Sequence, residues 1–407
     1  MRLTHMRIVA HLLLVCLAAA ALLAHAQPQA PAAGALAQHL VGSAQPERLI
    51  ESFGGALERR LPHRVVRKGE HTSALPSAAG EIAFTYAHEG TRRNVDDYLA
   101  NQRVTGLLAI KDDTVVLERY RHGHNAGSRF LSASMAKSIV GLLVGVALHE
   151  GHIRSIDDLA KVYVPALSGN PYGETSIRHL LQMSSGIDFA ERYDGRDDLV
   201  ALIQNTIGQQ SAGGAAVLVP YGKRRVDAGK VFYYSSADTQ ALGLVLRGAT
   251  GVPVADYFGT RIWQPMGAQD DASFLIDAAG QEATFAFLHA TLRDFGRLGR
   301  LLANGGAARG KQVIPPAWLQ EATEGSQPHM QPFVASSYFG YGYHFWTFPG
   351  AKRRFALIGV RGQVIFVDPE LRLVLVQTAA WKTPGDRAAR AELLALWRGL
   401  VEHYGSW

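Results

Sequence analysis

Two apolar runs of β character, one towards each end of the chain, with a long helical stretch between them, predict an α+β fold of two lobes. One lobe is α/β and the other all-helical. The runs cover residues 105–120 and 355–378. A third observation is the closing segment from Arg387 to His403, where Leu393, Leu394, Leu396 and Leu400 mark the apolar stripe of an amphipathic helix. Strands so far apart in sequence can share one antiparallel sheet only if the helical middle, about 138–330, is set aside as an inserted lobe, which leaves a cleft between the two. The 407 residues, 47% of them hydrophobic, suffice to bury the core of one such unit, and no internal repeat is visible.

The chain opens on a region of a different kind. Arg2 and Arg7 precede an apolar run from Leu12 to Leu23, and Ala24-His25-Ala26 offers a small-x-small cleavage site, so residues 1–26 read as a secretory signal peptide and imply a secreted, periplasmic protein. The run is too short and too near the terminus to be preferred as a membrane span, and no stable span remains after cleavage. Cys16, the single cysteine, lies inside it behind Val15, which does not suit lipoprotein processing; the mature chain would have no thiol and no disulfide. Loss of Arg2 and Arg7 leaves 39 basic against 35 acidic residues, a net +4 with no basic block, which gives no indication of nucleic-acid binding. Residues 27–45, with Pro28, Pro31 and several alanines, read as a flexible tether, and 46–92 as an N-terminal accessory segment ahead of a domain at 93–405.

Inside that domain the first chemical pattern is Ser134-Met135-Ala136-Lys137. On a helix, positions i and i+3 share a face, so the Ser134 hydroxyl and the Lys137 amine can meet. A chain of this size holds about one such spacing by chance, so context has to decide. Behind it, Ile139 to Leu148 is apolar without an amphipathic break, which predicts a helix buried on all sides and a lysine short of water. Such a lysine is either a general base or a cation held against a neighbouring anion; the plainer alternative is a lysine that snorkels to the surface. The helix start would surround Ser134 with unpaired N–H groups that favour a developing oxyanion.

The second pattern is Phe232-Tyr233-Tyr234-Ser235-Ser236, ahead of an apolar helical stretch that ends near Gly248 and Gly251. In extended backbone Tyr234 and Ser236 point the same way and can enter one cleft; a strand edge with packed aromatics is the plainer reading. A phenol beside a lysine ammonium loses its proton more easily and can then exchange protons with serine or water. His149-Glu150-Gly151-His152 has the wrong spacing for two ligands on one helix face, and His122 with His124 suits a hairpin loop, so no metal or other cofactor is indicated. No Gly-x-Ser-x-Gly occurs, which removes the nucleophile elbow of the α/β-hydrolases. Asp194, Asp197 and Asp198 read as a solvated acidic loop, with attraction of an amine-bearing substrate as the alternative.

Ser-x-x-Lys followed a hundred residues on by Tyr-x-Ser resembles the serine β-lactamase and penicillin-binding protein superfamily. The resemblance is greatest to its class C branch, with esterases, D-aminopeptidases and 6-aminohexanoate-dimer hydrolases. Thr105 to Asp112 with Val115 to Tyr120 resembles the opening hairpin, Thr175 to Gly186 a family helix and turn, and Ala290 to Asp294 and Gln363 to Pro369 later landmarks. The resemblance implies a β-lactamase/transpeptidase-like fold, with Ser134 as nucleophile, Lys137 as its activating partner and Tyr234 as shared acid or base. Many relatives carry Asn where Ser236 stands; a Ser there is similar to the 6-aminohexanoate-dimer hydrolase branch and makes β-lactam hydrolysis the lesser expectation. Tyr193 falls where that branch has a substrate-contacting tyrosine, or is a packed loop aromatic. The third family box, Lys-Thr-Gly or His-x-Gly, is missing; Gly359-Val360-Arg361-Gly362-Gln363 takes its place, with an N–H near Gly362 or Gln363 expected to complete the oxyanion hole and Arg361 either supplying charge or facing solvent. The expected activity is hydrolysis of a small-molecule amide or ester through an acyl-enzyme on Ser134. A D,D-peptidase or β-lactamase, and an acylated sensor or inactive binding relative that does not turn over, remain as alternatives.

Overall fold

The protein is described by a computed structural model over residues 36, 39–42 and 44–407. The expected signal peptide at 1–26 and most of the tether at 27–45 lie outside the described residues. The larger sheet has seven strands: β1 (Val104–Lys111), β2 (Thr114–Tyr120), β3 (Gly340–Tyr341), β4 (Trp346–Thr347), β5 (Phe355–Gly359), β6 (Gln363–Asp368) and β7 (Leu373–Ala379). They run β3-β4-β5-β6-β7-β1-β2, antiparallel throughout, so β7 from the end of the chain lies against β1 from its first third, with Leu375 opposite Ala109. The two apolar runs thus meet in one sheet.

Strands buried on both faces need apolar residues at consecutive positions, and β1, β6 and β7 have them. Leu108, Ile110, Ile365 and Val374 face one layer, where helix α3 (Leu292–Ala303) packs; a Cβ on Gly296 would lie 2.5 Å from Leu108, and one on Gly299 2.5 Å from Val374. Leu107, Ala109, Phe366 and Leu375 face the other, under helix α4 (Arg387–Tyr404), whose Trp397 meets Phe366 at 5.7 Å between ring centroids. Each large apolar side chain so buried is worth about 1.5–3 kcal/mol against exposure, which fixes the sheet as the rigid floor of the cleft.

Helix α1 (Met135–His149) runs through the interior with every residue from Met135 to Ala147 buried. Gly141 and Gly145, one turn apart, make room for its neighbours: a Cβ would come within 2.6 Å of the Tyr343 carbonyl at the first and 2.0 Å of the Trp318 ring at the second. Helix α2 (Ser236–Thr250) packs beside it.

The middle of the chain is less purely helical than expected. Short runs such as Ala272–Leu275 and Leu288–Thr291, too brief for periodicity to distinguish from helix, pair with His63–Val66 and Arg129–Leu131 in a second, four-stranded sheet. Residues from the 46–92 segment are therefore built into the same body as the rest. Among the described residues no helix is long and apolar enough to cross a membrane.

Candidate active site

Strand Arg129–Leu131 of the small sheet carries the chain to Ser134. The Ser132 N–H continues the pairing by donating to the Leu288 carbonyl (2.8 Å), after which Ala133 adopts a left-handed φ of +44° and α1 begins with Ser134 as its N-cap. A non-glycine residue held in that region stores local strain, as residues beside reacting groups often do. One turn along, Lys137 is 1% exposed and its Nζ donates to Ser134 Oγ (3.1 Å), Ser236 Oγ (3.0 Å) and the Phe285 carbonyl (2.7 Å). Three acceptors take up the three ammonium protons. Burial nevertheless lowers the Lys137 pKa to about 8, with the charge of Glu191 opposing. When the ammonium loses one proton, a lone pair becomes available for the Ser134 hydroxyl to donate into.

Tyr234 arrives on the segment ahead of α2. Its ring stacks on Trp346 (5.5 Å, 24° between planes) and meets Tyr341 edge-on, while Lys137 Nζ lies 5.2 Å from the ring centroid. Burial first, and the Glu191 charge second, hold its phenol well above the usual tyrosine range, against a smaller opposing contribution from Ser134. The sequence expectation of a phenol made more acidic by its lysine is thus reversed, because withdrawal from water outweighs the nearby cation. The resting pair is a neutral phenol and a lysine close to losing its proton.

Ser236 heads α2 and is 1% exposed. Beyond accepting from Lys137, its Oγ donates to Glu191 Oε1 (3.0 Å) and its backbone N–H to Glu191 Oε2 (2.6 Å). Glu191, which the sequence reading passed over, also accepts from the Tyr193 hydroxyl (2.7 Å). Burial raises the Glu191 pKa, while Lys137 pulls it down. The two ionisable groups and the serine between them form one line: Glu191, Ser236, Lys137, Ser134. The orienting task an asparagine amide would perform at position 236 falls here to a hydroxyl and the carboxylate behind it.

Of the acidic cluster next to Glu191, Asp194 is solvent-exposed as expected, whereas Asp197 and Asp198 are turned inward. Asp197 is 6% exposed; its carboxylate receives the N–H groups of Arg192 and Tyr193 and caps helix Asp198–Asn205 at Val200 N–H, while Asp198 receives the N–H of Ala190. These bonds hold Tyr193 at a left-handed φ of +59° and turn Glu191 and Tyr193 towards Ser134. The legible sign was the spacing Glu191-x-Tyr193, two residues apart on a segment rich in caps.

A cavity of about 230 Å3 lies over Ser134, bounded by Glu191, Tyr193, Tyr234, Phe339, Trp346 and the end of β5. Ile358, Gly359 and Val360 line it, whereas Gly362 and Gln363 do not: Gln363 is buried with its amide donating to the Ala379 carbonyl (2.6 Å), and Gly362 packs on Trp381. The close approach expected of a glycine falls at Gly359, where a Cβ would lie 2.7 Å from the Ser132 carbonyl and 3.0 Å from the Ser134 nitrogen. Arg361 neither faces solvent nor supplies charge to the cavity. Its left-handed φ of +59° turns the side chain inward, and the guanidinium donates to the carbonyls of Leu40 (2.9 Å), Gly42 (2.5 Å), Trp381 (3.0 Å) and Lys382 (3.0 Å). The cation at the cavity is Arg390, whose guanidinium makes no hydrogen bond or ion pair among the described residues.

A sequence profile of the Beta-lactamase family matches residues 91–397. A 6-aminohexanoate-dimer hydrolase of Paenarthrobacter ureafaciens is 28% identical over 289 residues, 69% of this chain and 74% of the relative. Among solved structures, a Bacillus anthracis protein provisionally named a 6-aminohexanoate-dimer hydrolase superposes with a TM-score of 0.78 at 22% identity, over 87% of this chain and 94% of that one. A penicillin-binding protein from Bacillus halodurans superposes with a TM-score of 0.59 at 16% identity, over 74% and 99%.

Proposed function

This chain belongs to the Beta-lactamase family and is a serine hydrolase of the amidase or esterase type, and on that premise we propose that Ser134 is the nucleophile of a secreted enzyme that cleaves a small amide or ester through an acyl-enzyme. The observation that carries the proposal is the buried Lys137 amine 3.1 Å from the Ser134 hydroxyl, with its pKa lowered to about 8.

In the first half-reaction the neutral Lys137 amine accepts the Ser134 proton as Oγ attacks the carbonyl carbon. Charge develops on the carbonyl oxygen beside the Ser134 N–H at the start of α1, where the end of β5 passes close enough to contribute a second donor. Tyr234, still carrying its proton, passes it to the departing nitrogen or oxygen, and the proton that Lys137 took from Ser134 then returns to the phenolate, so that the amine and the phenol are both restored before water enters. Water then repeats the attack in reverse, returning Ser134. Glu191 and Ser236 take no proton from the substrate; they hold Lys137 in place and set its charge.

Two features favour a linear amide or ester over a β-lactam: Ser236 in place of an amide side chain, and β5 ending on Gly359-Val360 without a cation or hydroxyl. The name of the curated relative, a dimer hydrolase for an amino acid amide, points the same way. Export rests on the pattern of residues 1–26.

The test is a time course of short-chain nitrophenyl ester hydrolysis by the protein and its Ser134→Ala variant, with intact mass at each point. Steady turnover with a transient acyl mass, lost in Ser134→Ala, is expected. A stable adduct on Ser134 without product release would favour a sensor, and rapid hydrolysis of a cephalosporin would favour a β-lactamase.

A further inference from the structure

Ser134 stands between two cavities. Besides the outer one bounded by Trp346 and Arg390, a smaller cavity of about 30 Å3 reaches behind the hydroxyl. Ser134, Ser236, Glu191 and Tyr193 form its polar mouth, and its depth is hydrocarbon: Leu40, Phe53, Leu131, Ile203, Phe285 and Phe287, none more than 4% exposed. Leu40 is placed there by Arg361, which grips its carbonyl. Nothing in the mechanism uses this space.

Its chemistry restricts what it can hold. A water needs two to four polar partners, and a buried polar group without a partner is costly, so apolar walls admit hydrocarbon. Its position selects the arm of the substrate. The leaving group must depart and water must then enter, which the outer cavity permits because Gly385 and half-buried Ser336, Ile358 and Val360 give it an opening. The acyl group stays bonded to Ser134 throughout, so it alone can occupy a chamber with buried walls.

We propose that this inner cavity is the acyl-chain subsite, that it takes a short aliphatic acyl arm of about two to four carbons, and that the segment around Leu40 sets the length limit. The inference rests on the serine-hydrolase reading above. It places the specificity of the enzyme partly in a stretch of chain that precedes the family-matched residues 91–397.

The experiment is kcat/KM for 4-nitrophenyl esters from acetyl to octanoyl, measured on the wild type, on Leu40→Ala, which lengthens the chamber, and on Ala286→Leu, which fills it from the half-buried Ala286 on its wall. In the wild type each methylene is expected to add about fourfold while the chamber fills, with a maximum at propanoyl or butanoyl and a fall of more than about tenfold by octanoyl as overpacking sets in. Leu40→Ala should move the maximum towards longer chains and Ala286→Leu towards acetyl. Each profile is a ratio within one protein, so a loss of folded material lowers all its points together. Coincident maxima in the three proteins, or a wild-type rate that climbs through octanoyl, would overturn the subsite while leaving the hydrolase intact. Ester turnover that survives Ser134→Ala would remove the hydrolase reading, and the subsite with it.

Discussion

In the proposed mechanism the proton on Lys137 controls whether Ser134 can be activated, and its position is set by two opposing effects. Burial disfavours the ammonium, and the Glu191 carboxylate, one serine away, favours it. For a neutral ester, which does not itself titrate, kcat/KM is expected to rise about tenfold per pH unit below a midpoint near 8 and to level off above it, since the free amine is the active form. Glu191→Gln removes the charge that supports the ammonium, so the midpoint should move to lower pH, while kcat falls by about tenfold from the loosened Ser236 contact. A pH–rate profile of the two proteins checks both; a midpoint that does not move would reduce Glu191 to a structural residue. That Ser134, Lys137 and Tyr234 come together was legible in the sequence because two short fixed spacings pick them out. Glu191 was not. A carboxylate followed by Arg192, Asp194, Asp197 and Asp198 has the composition of a solvated loop, and only the caps supplied by Asp197 and Asp198, formed in three dimensions, turn it inward.

The elements that deliver these side chains differ in how far sequence patterning determines them. Helix α1 and strands β1, β6 and β7 were readable because burial on all sides demands uninterrupted apolar residues. In the turn between β5 and β6 the oxyanion N–H was expected near Gly362 or Gln363, whereas Gly359 and Val360 line the cavity, because the segment carries two glycines and only the inward turn at Arg361 decides which lies beside Ser134. Gly359 has an ordinary negative φ of −118°, so its requirement is space and not backbone freedom. Gly359→Ala would drive a methyl into the Ser132 carbonyl, the Ala133 side chain and the Ser134 nitrogen, all of which belong to a buried turn with little room to yield. The strand end should retreat, withdrawing its oxyanion contribution: kcat is expected to fall by at least about a hundredfold, with a stability loss of about 1–3 kcal/mol. Parallel kinetics and denaturant unfolding separate the two effects, and a variant that unfolds normally but retains full kcat would show that β5 does not shape the transition state.

Across the whole molecule, the sheet joins both ends of the domain, and one arginine ties a still earlier segment to that assembly. Arg361 bridges Leu40 and Gly42 to Trp381 and Lys382 through four carbonyls, so residues near the start of the described chain are fastened to the turn after β5 and the exit from β7. Among the described residues the fastening has no carboxylate partner, and burial lowers the Arg361 pKa to about 10. It persists because the planar fork meets acceptors in several directions at once, which a lysine cannot do. Arg361→Gln would leave at least two of the four carbonyls unpaired, each costing about 1–3 kcal/mol if it stays buried. The 36–42 segment can recover water by detaching, whereas Trp381 and Lys382 are held by the strand before them. The expected outcome is therefore release of the segment with the sheet intact: limited proteolysis should cut between residues 36 and 45 well before any cut in the wild type, Leu36, Leu40 and Val41 should lose their burial, and the wall beside Ser134 should open. A variant as protease-resistant as the wild type at those residues would mean that apolar packing alone holds the segment, and that the buried guanidinium serves only the turn in which it sits.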